Sequence, residues 1–172
     1  MVMVVHLLAS VARRRVVTTM ASSIVRFDSV TTIQRPRSVV FERLADIPAY
    51  RSWMHRTGLF RLCGLTSDDG PIREGTAYFD ATRMGSFQGE VTEFEPPTRL
   101  GFRETLHWFG SGAMQARLGY FLDGDSDRTT VHHIAVGELY GWMRLMKPAA
   151  ALMARSERTR TLNSLRRSLE SE

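Results

Sequence analysis

Six segments in succession alternate with period two, and then the period changes once, to helical, and never changes back. The alternating segments are residues 56–64, 73–84, 86–95, 98–108, 113–122 and 128–136, and helical spacing runs from about Leu139 to the end. Short turn-forming stretches separate several of them: TSDDGP, the Pro96-Pro97 step, FGSG and DGDSD. Strands joined this tightly predict an antiparallel meander. The apolar face of such a sheet needs a cover. Leu100, Phe102, Leu106 and Trp108 share one face of the fourth segment, and Met114, Ala116, Leu118, Tyr120 and Leu122 share one face of the fifth. The C-terminal helix is the one element long enough to cover them.

The chain before the meander adds a strand and two short helices. Residues 23–34 read as a strand with Phe27, Ser29, Thr31 and Ile33 on one face. Arg35-Pro36 ends it, and Pro36 suits a first helical position because its missing N–H would be unpaired there. Val40, Phe41, Leu44 and Ala45 then form a helical stripe. Pro48 breaks that helix, and Asp46 can cap a second, very short one carrying Tyr50 and Trp53. The expected fold is α+β: a curved antiparallel sheet of about seven strands wrapped round a long C-terminal helix, with two short helices after the first strand closing one end. Pro148 is expected to kink or delay the first turns of the long helix. Its inward stripe is expected to run through Leu145, Ala149, Leu152 and Met153 and to continue through Leu162, Leu165 and Leu169; between them Ser156 and Thr159 either face inward, if the stripe keeps its register, or lie on a solvated side.

With 172 residues, 43% of them hydrophobic, the chain fits one domain with a real core. Its net charge of +5 is inflated by Arg13, Arg14 and Arg15, which stand in the first 22 residues with no acid; without them 20 basic residues face 18 acidic ones. Every basic residue but Lys147 is Arg, which points to GC-rich codon usage rather than to polyanion binding. No nucleic-acid partner is expected, since no Arg run with interleaved aromatics occurs in the body of the chain. Cys63 is the only cysteine, so an intrachain disulfide and a zinc site of the Cys-pair type are excluded, and a cytoplasmic location is expected. No apolar run is long enough to span a bilayer, so stable membrane insertion is not expected. Residues 1–22 are expected to be a poorly ordered leader and residues 23–172 the domain. MVMVVHLLASVA followed by RRR reverses the charge order of a secretory signal. Its poor periodicity favours a loose leader, as from a start codon upstream of Met20, over a membrane-surface segment.

A curled sheet facing a helix with small residues in mid-span predicts a cavity. Glu104 shares the face of Leu100, Phe102 and Leu106, where a carboxylate is costly unless paired. It is an acid, a base or a partner for a ligand hydroxyl, or else a local twist or bulge lets it reach solvent, or it is one half of a salt bridge with an Arg. His133 falls on the inner set with Val131 and Ala135, although the opposite parity is almost as apolar. Simple hairpin pairing would put Glu104, Leu118 and His133 in one row, the ends about 10 Å apart. Glu104, His133 and Tyr120 are therefore the acid–base candidates, with a satisfied core histidine as the alternative for His133. Trp53, Tyr78, Phe102 and Leu118 are further candidates for the cavity wall, with Leu152, Met153 and Ser156 from the helix. Met114, Met143, Met146 and Met153 would give an adaptable apolar lining. No metal site, cofactor motif, phosphate loop or nucleophile elbow is present in the sequence.

Three segments resemble the START-like superfamily, also called SRPBCC or polyketide cyclase/dehydrase and lipid transport proteins. The first is I-x-R-P-x-x-V-F-x-x-L-A-D-x-x-x-Y-x-x-W, met here by Ile33, Arg35, Pro36, Val39 with Val40, Phe41, Leu44, Ala45, Asp46, Tyr50 and Trp53. The second, GEVTEFEPPTRLGFR, resembles the strand–Pro–Pro–strand hairpin; the third, GELYGWMRLMKP with a helix ending LNSLRRSLE, resembles the closing helix. The resemblance covers roughly residues 24–170 and implies the helix-grip fold with a hydrophobic ligand between sheet and helix. A single cysteine and no His-rich ligand set argue against the iron-dependent hydroxylase subgroup. The expected function is binding or carriage of a small hydrophobic molecule (lipid, aromatic or polyketide-like) by a monomer or homodimer. The alternatives are a polyketide cyclase or dehydratase, and an interaction module presenting its Arg-rich C-terminal helix.

Overall fold

The structure, a computed structural model, describes residues 23–54, 60–66, 70–82, 85–108 and 111–171. The leader assigned to residues 1–22, the opening of the strand expected at 56–64 and the middle of the TSDDGP turn lie outside the described residues.

Strand β1 (Ser23–Ile33) is followed by helix α1 (Arg37–Ala45), a single 3-10 turn (Ile47–Ala49) and the four-residue helix α2 (Tyr50–Trp53). The meander then runs β2 (Phe60–Thr66), β3 (Ala77–Thr82), β4 (Gly85–Glu95), β5 (Arg99–Trp108), β6 (Ser111–Gly124) and β7 (Thr129–Leu139). These seven strands form one sheet in the order β1-β7-β6-β5-β4-β3-β2, and every pairing is antiparallel. Only β1 is out of sequence: it returns to pair with the last strand, from Ser23 opposite Leu139 to Ile33 opposite Thr129.

Period-two alternation decides which side chains meet the core. Leu100, Phe102 and Glu104 on β5, with Ala116, Leu118, Tyr120 and Leu122 on β6, are all buried on the inner face. Val131, His133 and Ala135 settle the parity of β7 in favour of His133 pointing inward. A bulge between Val91 and Glu93 advances the phase of β4 by one residue, so Val91 and Phe94 both reach the core. On α1, Val40, Phe41 and Leu44 are buried, and the Phe41 ring tilts against Phe94 at 5.5 Å. Pro36 stands one residue earlier than expected, at the N-cap. Asp46 does cap the next turn: its carboxylate accepts from the Ala49 N–H at 3.2 Å.

The C-terminal segment departs from the expectation in two ways. Strand β7 continues to Leu139, a 3-10 stretch (Gly141–Met146) follows, and helix α3 (Lys147–Glu170) begins only then. Pro148 lies in the first turn of α3, where its missing N–H costs no bond, so it starts the helix rather than kinking it. The second departure is rotational. Leu162, Leu165 and Leu169 are fully buried against the sheet and fix which side of α3 faces inward. Thirteen residues separate Leu152 from Leu165, which at 3.6 residues per turn is about 140° round the helix. Ala149 and Leu152 accordingly share a face of α3, as their spacing predicts, but it is the outer one, and Leu152 is 72% exposed; Leu145, expected with them, lies on the 3-10 stretch before α3 and is exposed as well. Ala154 and Arg158, each within about 20° of Leu165, continue the inward stripe instead.

Candidate functional site

Between α3 and the inner face of β3 to β6 lies a cavity of about 170 Å³. Most of its wall is apolar: Phe87, Phe102, Leu106, Leu118, Met114 and Met143 contribute. One row across the sheet is different. Tyr78 on β3 pairs with Gly89 on β4, Gly89 with Glu104 on β5, and Glu104 with Ala116 on β6. Tyr78 reaches its second neighbour by lying over the first. A Cβ on Gly89 would stand 2.1 Å from Tyr78 Cζ, so only glycine lets the ring cross there. At the end of that reach the Tyr78 hydroxyl donates to Glu104 Oε1 at 2.7 Å. From the opposite side Arg158 Nη2 on α3 donates to Glu104 Oε2 at 3.4 Å. The Tyr120 hydroxyl faces the same guanidinium.

This group is a chain of charge and hydrogen bonds, Tyr78–Glu104–Arg158–Tyr120, set in a largely apolar wall. Burial pushes the Tyr78 phenol well above its usual pKa, and the neighbouring Glu104 charge pushes it further, so it stays a donor. Burial raises Tyr120 too, with Arg158 partly opposing. For Arg158, burial opposes the charge, but Glu104, with help from the two tyrosines, more than offsets it and the guanidinium is held ionised. A ligand oxygen entering here meets Tyr78, Tyr120, Glu104 and Arg158, and Tyr50, Asp80, Glu157 and Thr161 add further polar groups to the same wall.

Tyr78, Phe102, Glu104, Leu118, Tyr120 and Met153 all stand on the cavity wall. Four of the other residues expected there do not. Trp53 packs behind Tyr50 with ring centroids 5.1 Å apart, and Tyr50 takes the wall position. Leu152 points outward for the rotational reason given above, and Ser156, two residues before Arg158, is half-buried off the wall. His133 lies behind Tyr120, ring stacked on ring at 4.2 Å and 13°. The row expected to join Glu104, Leu118 and His133 is not formed: Glu104 pairs with Ala116, whereas His133 pairs with Tyr120, four residues further along β6. That offset plus two strand spacings puts the Glu104 and His133 Cα atoms roughly 16 Å apart. His133 Nδ1 is 3.0 Å from the Gly119 carbonyl, which can only accept, so Nδ1 carries the proton and Nε2 is a bare acceptor. Burial, aided by the Arg158 charge, lowers its pKa to about 3.

Arg158 is a member of this polar group that the sequence does not single out, as are the wall residues Tyr50, Asp80 and Glu157. An Arg partner is one of the readings the sequence leaves open for Glu104, and the C-terminal leucines carry the signal. Seven residues before Leu165 on the same face is Arg158, the one cation on that stripe. Among the described residues no three His, Cys, Asp or Glu side chains come together as a metal site.

The row also yields a prediction. Gly89→Ala should expel the Tyr78 ring, break its bond to Glu104 and cost about 1–3 kcal/mol, as overpacking does. Tyr78→Ala in the same chain should recover part of that loss, because the methyl then has nothing to strike. Strictly additive denaturation midpoints for the pair would show that the two residues do not meet.

Comparison with known proteins places the chain. A family model described as polyketide cyclase/dehydrase and lipid transport matches residues 25–170. No curated protein matches. Among solved structures, DynU16, from the dynemicin biosynthetic locus, is 21% identical with a TM-score of 0.59; the match covers 86% of this chain and 47% of that one. This chain thus spans about half the length of that relative. A hypothetical protein from Helicobacter pylori is 16% identical with a TM-score of 0.64 over 85% of this chain and 87% of its own. A START superfamily protein from Mycobacterium smegmatis is 12% identical with a TM-score of 0.61 over 85% of this chain and 97% of its own. At these identities the shared property is the fold.

Proposed function

The chain belongs to the polyketide cyclase/dehydrase and lipid transport family, and from that premise we propose that it binds and carries one small, largely hydrophobic molecule. The body of the ligand, lipid, aromatic or polyketide-like, occupies the apolar wall, and a polar oxygen on it meets the Tyr78–Glu104–Arg158 group. The observation that carries this reading is the ion pair itself. Burying Glu104 and Arg158 is costly, and an ion pair of this kind is a weak source of stability compared with apolar packing. A ligand oxygen that hydrogen-bonds to the pair from the cavity gives it a use. A cavity of about 150 Å³ holds benzene, so the space here matches a body the size of one aromatic ring. A cytoplasmic location belongs to the same reading, supported by the lone cysteine, and so does a monomeric or homodimeric state.

The second reading, a cyclase or dehydratase, draws on the 2.7 Å bond between Tyr78 and Glu104, which sets a phenol and a carboxylate in contact on the cavity wall. Tyr78→Phe separates the two, because it keeps the ring over Gly89 and leaves Glu104 with Arg158. Native mass spectrometry of freshly purified protein would first identify the bound molecule. For a carrier, Tyr78→Phe should weaken that ligand by about tenfold or less, one modest polar contact. For an enzyme, binding should hold while turnover falls about a hundredfold or more. Wild-type product formation that collapses in Tyr78→Phe would replace the carrier with the enzyme, and a protein that takes up no hydrophobic molecule would end both readings.

A further inference from the structure

We propose that the outer face at the start of α3 docks on an anionic lipid surface and sets the mouth of the cavity against it. Leu145 is 85% exposed, Leu152 72%, Trp142 53%, Met146 46% and Met153 44%. Single exposed apolar residues are ordinary, but five large ones within twelve residues form a patch that marks an interaction surface. Ala149 and Leu152 stand three residues apart on one exposed side of α3, and Trp142, Leu145 and Met146 are exposed on the 3-10 stretch that leads into it.

The charge of the same stretch selects the partner. From Leu139 to Ser156 the chain carries Arg144, Lys147 and Arg155 and no acid at all. Basic side chains among exposed leucine, methionine and tryptophan suit anionic headgroups above an acyl boundary. Trp142 has the amphipathic ring that settles at that depth. A second copy of the chain fits less well, because a two-fold contact through this patch sets its three cations against their own images.

Position links the patch to the cavity. Met153 is both exposed and part of the cavity wall, and Met143 and Ala150 line the cavity from the same stretch. Trp142 packs edge-on against Trp108, itself a wall residue, with centroids 5.4 Å apart. An apolar path therefore runs from the surface to the interior on one continuous segment. No described helix can cross a bilayer, so the contact is peripheral.

The test uses the full chain and sedimentation with two kinds of vesicle, phosphatidylcholine mixed with phosphatidylglycerol and phosphatidylcholine alone. The protein should partition onto the mixed vesicles and roughly tenfold or more weakly onto the neutral ones. Leu145→Glu with Leu152→Glu should weaken partitioning by about tenfold or more while the melting temperature stays put, because both side chains already face solvent. Tryptophan emission should shift to the blue on the mixed vesicles, and Trp142→Phe should remove most of that shift. Three results would overturn the proposal: no partitioning of the full chain; partitioning that the double variant leaves unchanged, which would put the contact elsewhere, residues 1–22 included; or a dimer in solution that the double variant dissolves without any vesicle binding.

Discussion

Replacing Arg158 with methionine is expected to destabilise the protein by about 3 kcal/mol at neutral pH. The figure follows from what is left behind rather than from what the pair contributes: Glu104, 11% exposed, would keep one hydrogen bond from Tyr78 and no counter-charge. In a domain of this size that corresponds to a melting temperature lower by about 10 °C. Glu104→Gln on top of Arg158→Met should then recover most of the loss, since the double variant holds no unpaired charge. Urea midpoints for the four proteins measure the coupling directly. A loss below about 1 kcal/mol in the single variant would mean that Arg158 does not engage Glu104 in solution.

The second large effect is the response to acid. His133, almost completely buried, has its pKa lowered by burial from an ordinary 6.5 to about 3. Above pH 6.5 both folded and unfolded chains carry it neutral, and it adds no pH dependence. Between about 6.5 and 3 the unfolded chain binds the proton and the folded chain does not, so stability falls as pH falls, by about 1.4 kcal/mol per pH unit. At pH 4.5 the penalty from this one residue is roughly 3 kcal/mol. His133→Gln should lose some stability at neutral pH yet show an acid limb shallower by that slope. Parallel acid limbs for the two proteins would show that the folded state accommodates the imidazolium.

Much of this architecture was open to reading from residue order. The meander was legible because alternation and turn chemistry agree on β4 to β7, and the two short helices because Pro36, Asp46 and Pro48 punctuate them. Glu104 was legible as a charge on an apolar face. Its surroundings were harder to read. Tyr78 and Glu104 meet only through a register that spans two hairpins and a glycine, and register across strands is not local information. The row drawn through His133 failed for the same reason: pairing by turn length alone misplaced β7 by four residues relative to Glu104. Helix α3 misled because it carries two apolar stripes of correct period. Local spacing cannot choose between Leu145–Leu152 and the face ending in Leu169; only the fully buried leucines at the C-terminal end do, and the first stripe then has to face outward.

The way α3 is held has a mechanical consequence. Its 24 residues make a rod of about 36 Å. One end is bolted down by Leu162, Leu165 and Leu169, while towards the other end Ala150, Ala151 and Ala154 rest on a small cluster around Val25, Leu139 and Met143. Such a rod is a cantilever. Tilting it by about 10° at Leu162 would carry Ala150, about 18 Å away, through about 3 Å. The apolar contacts given up would be those of Ala150, Ala151 and Ala154, the least costly to open, while Arg158, one turn from the pivot, would move by only about 1 Å relative to Glu104. On the carrier reading, such a tilt would change the volume between rod and sheet while Leu162, Leu165 and Leu169 stay packed, and guests of different length would be admitted at one end without loosening the bolts at the other.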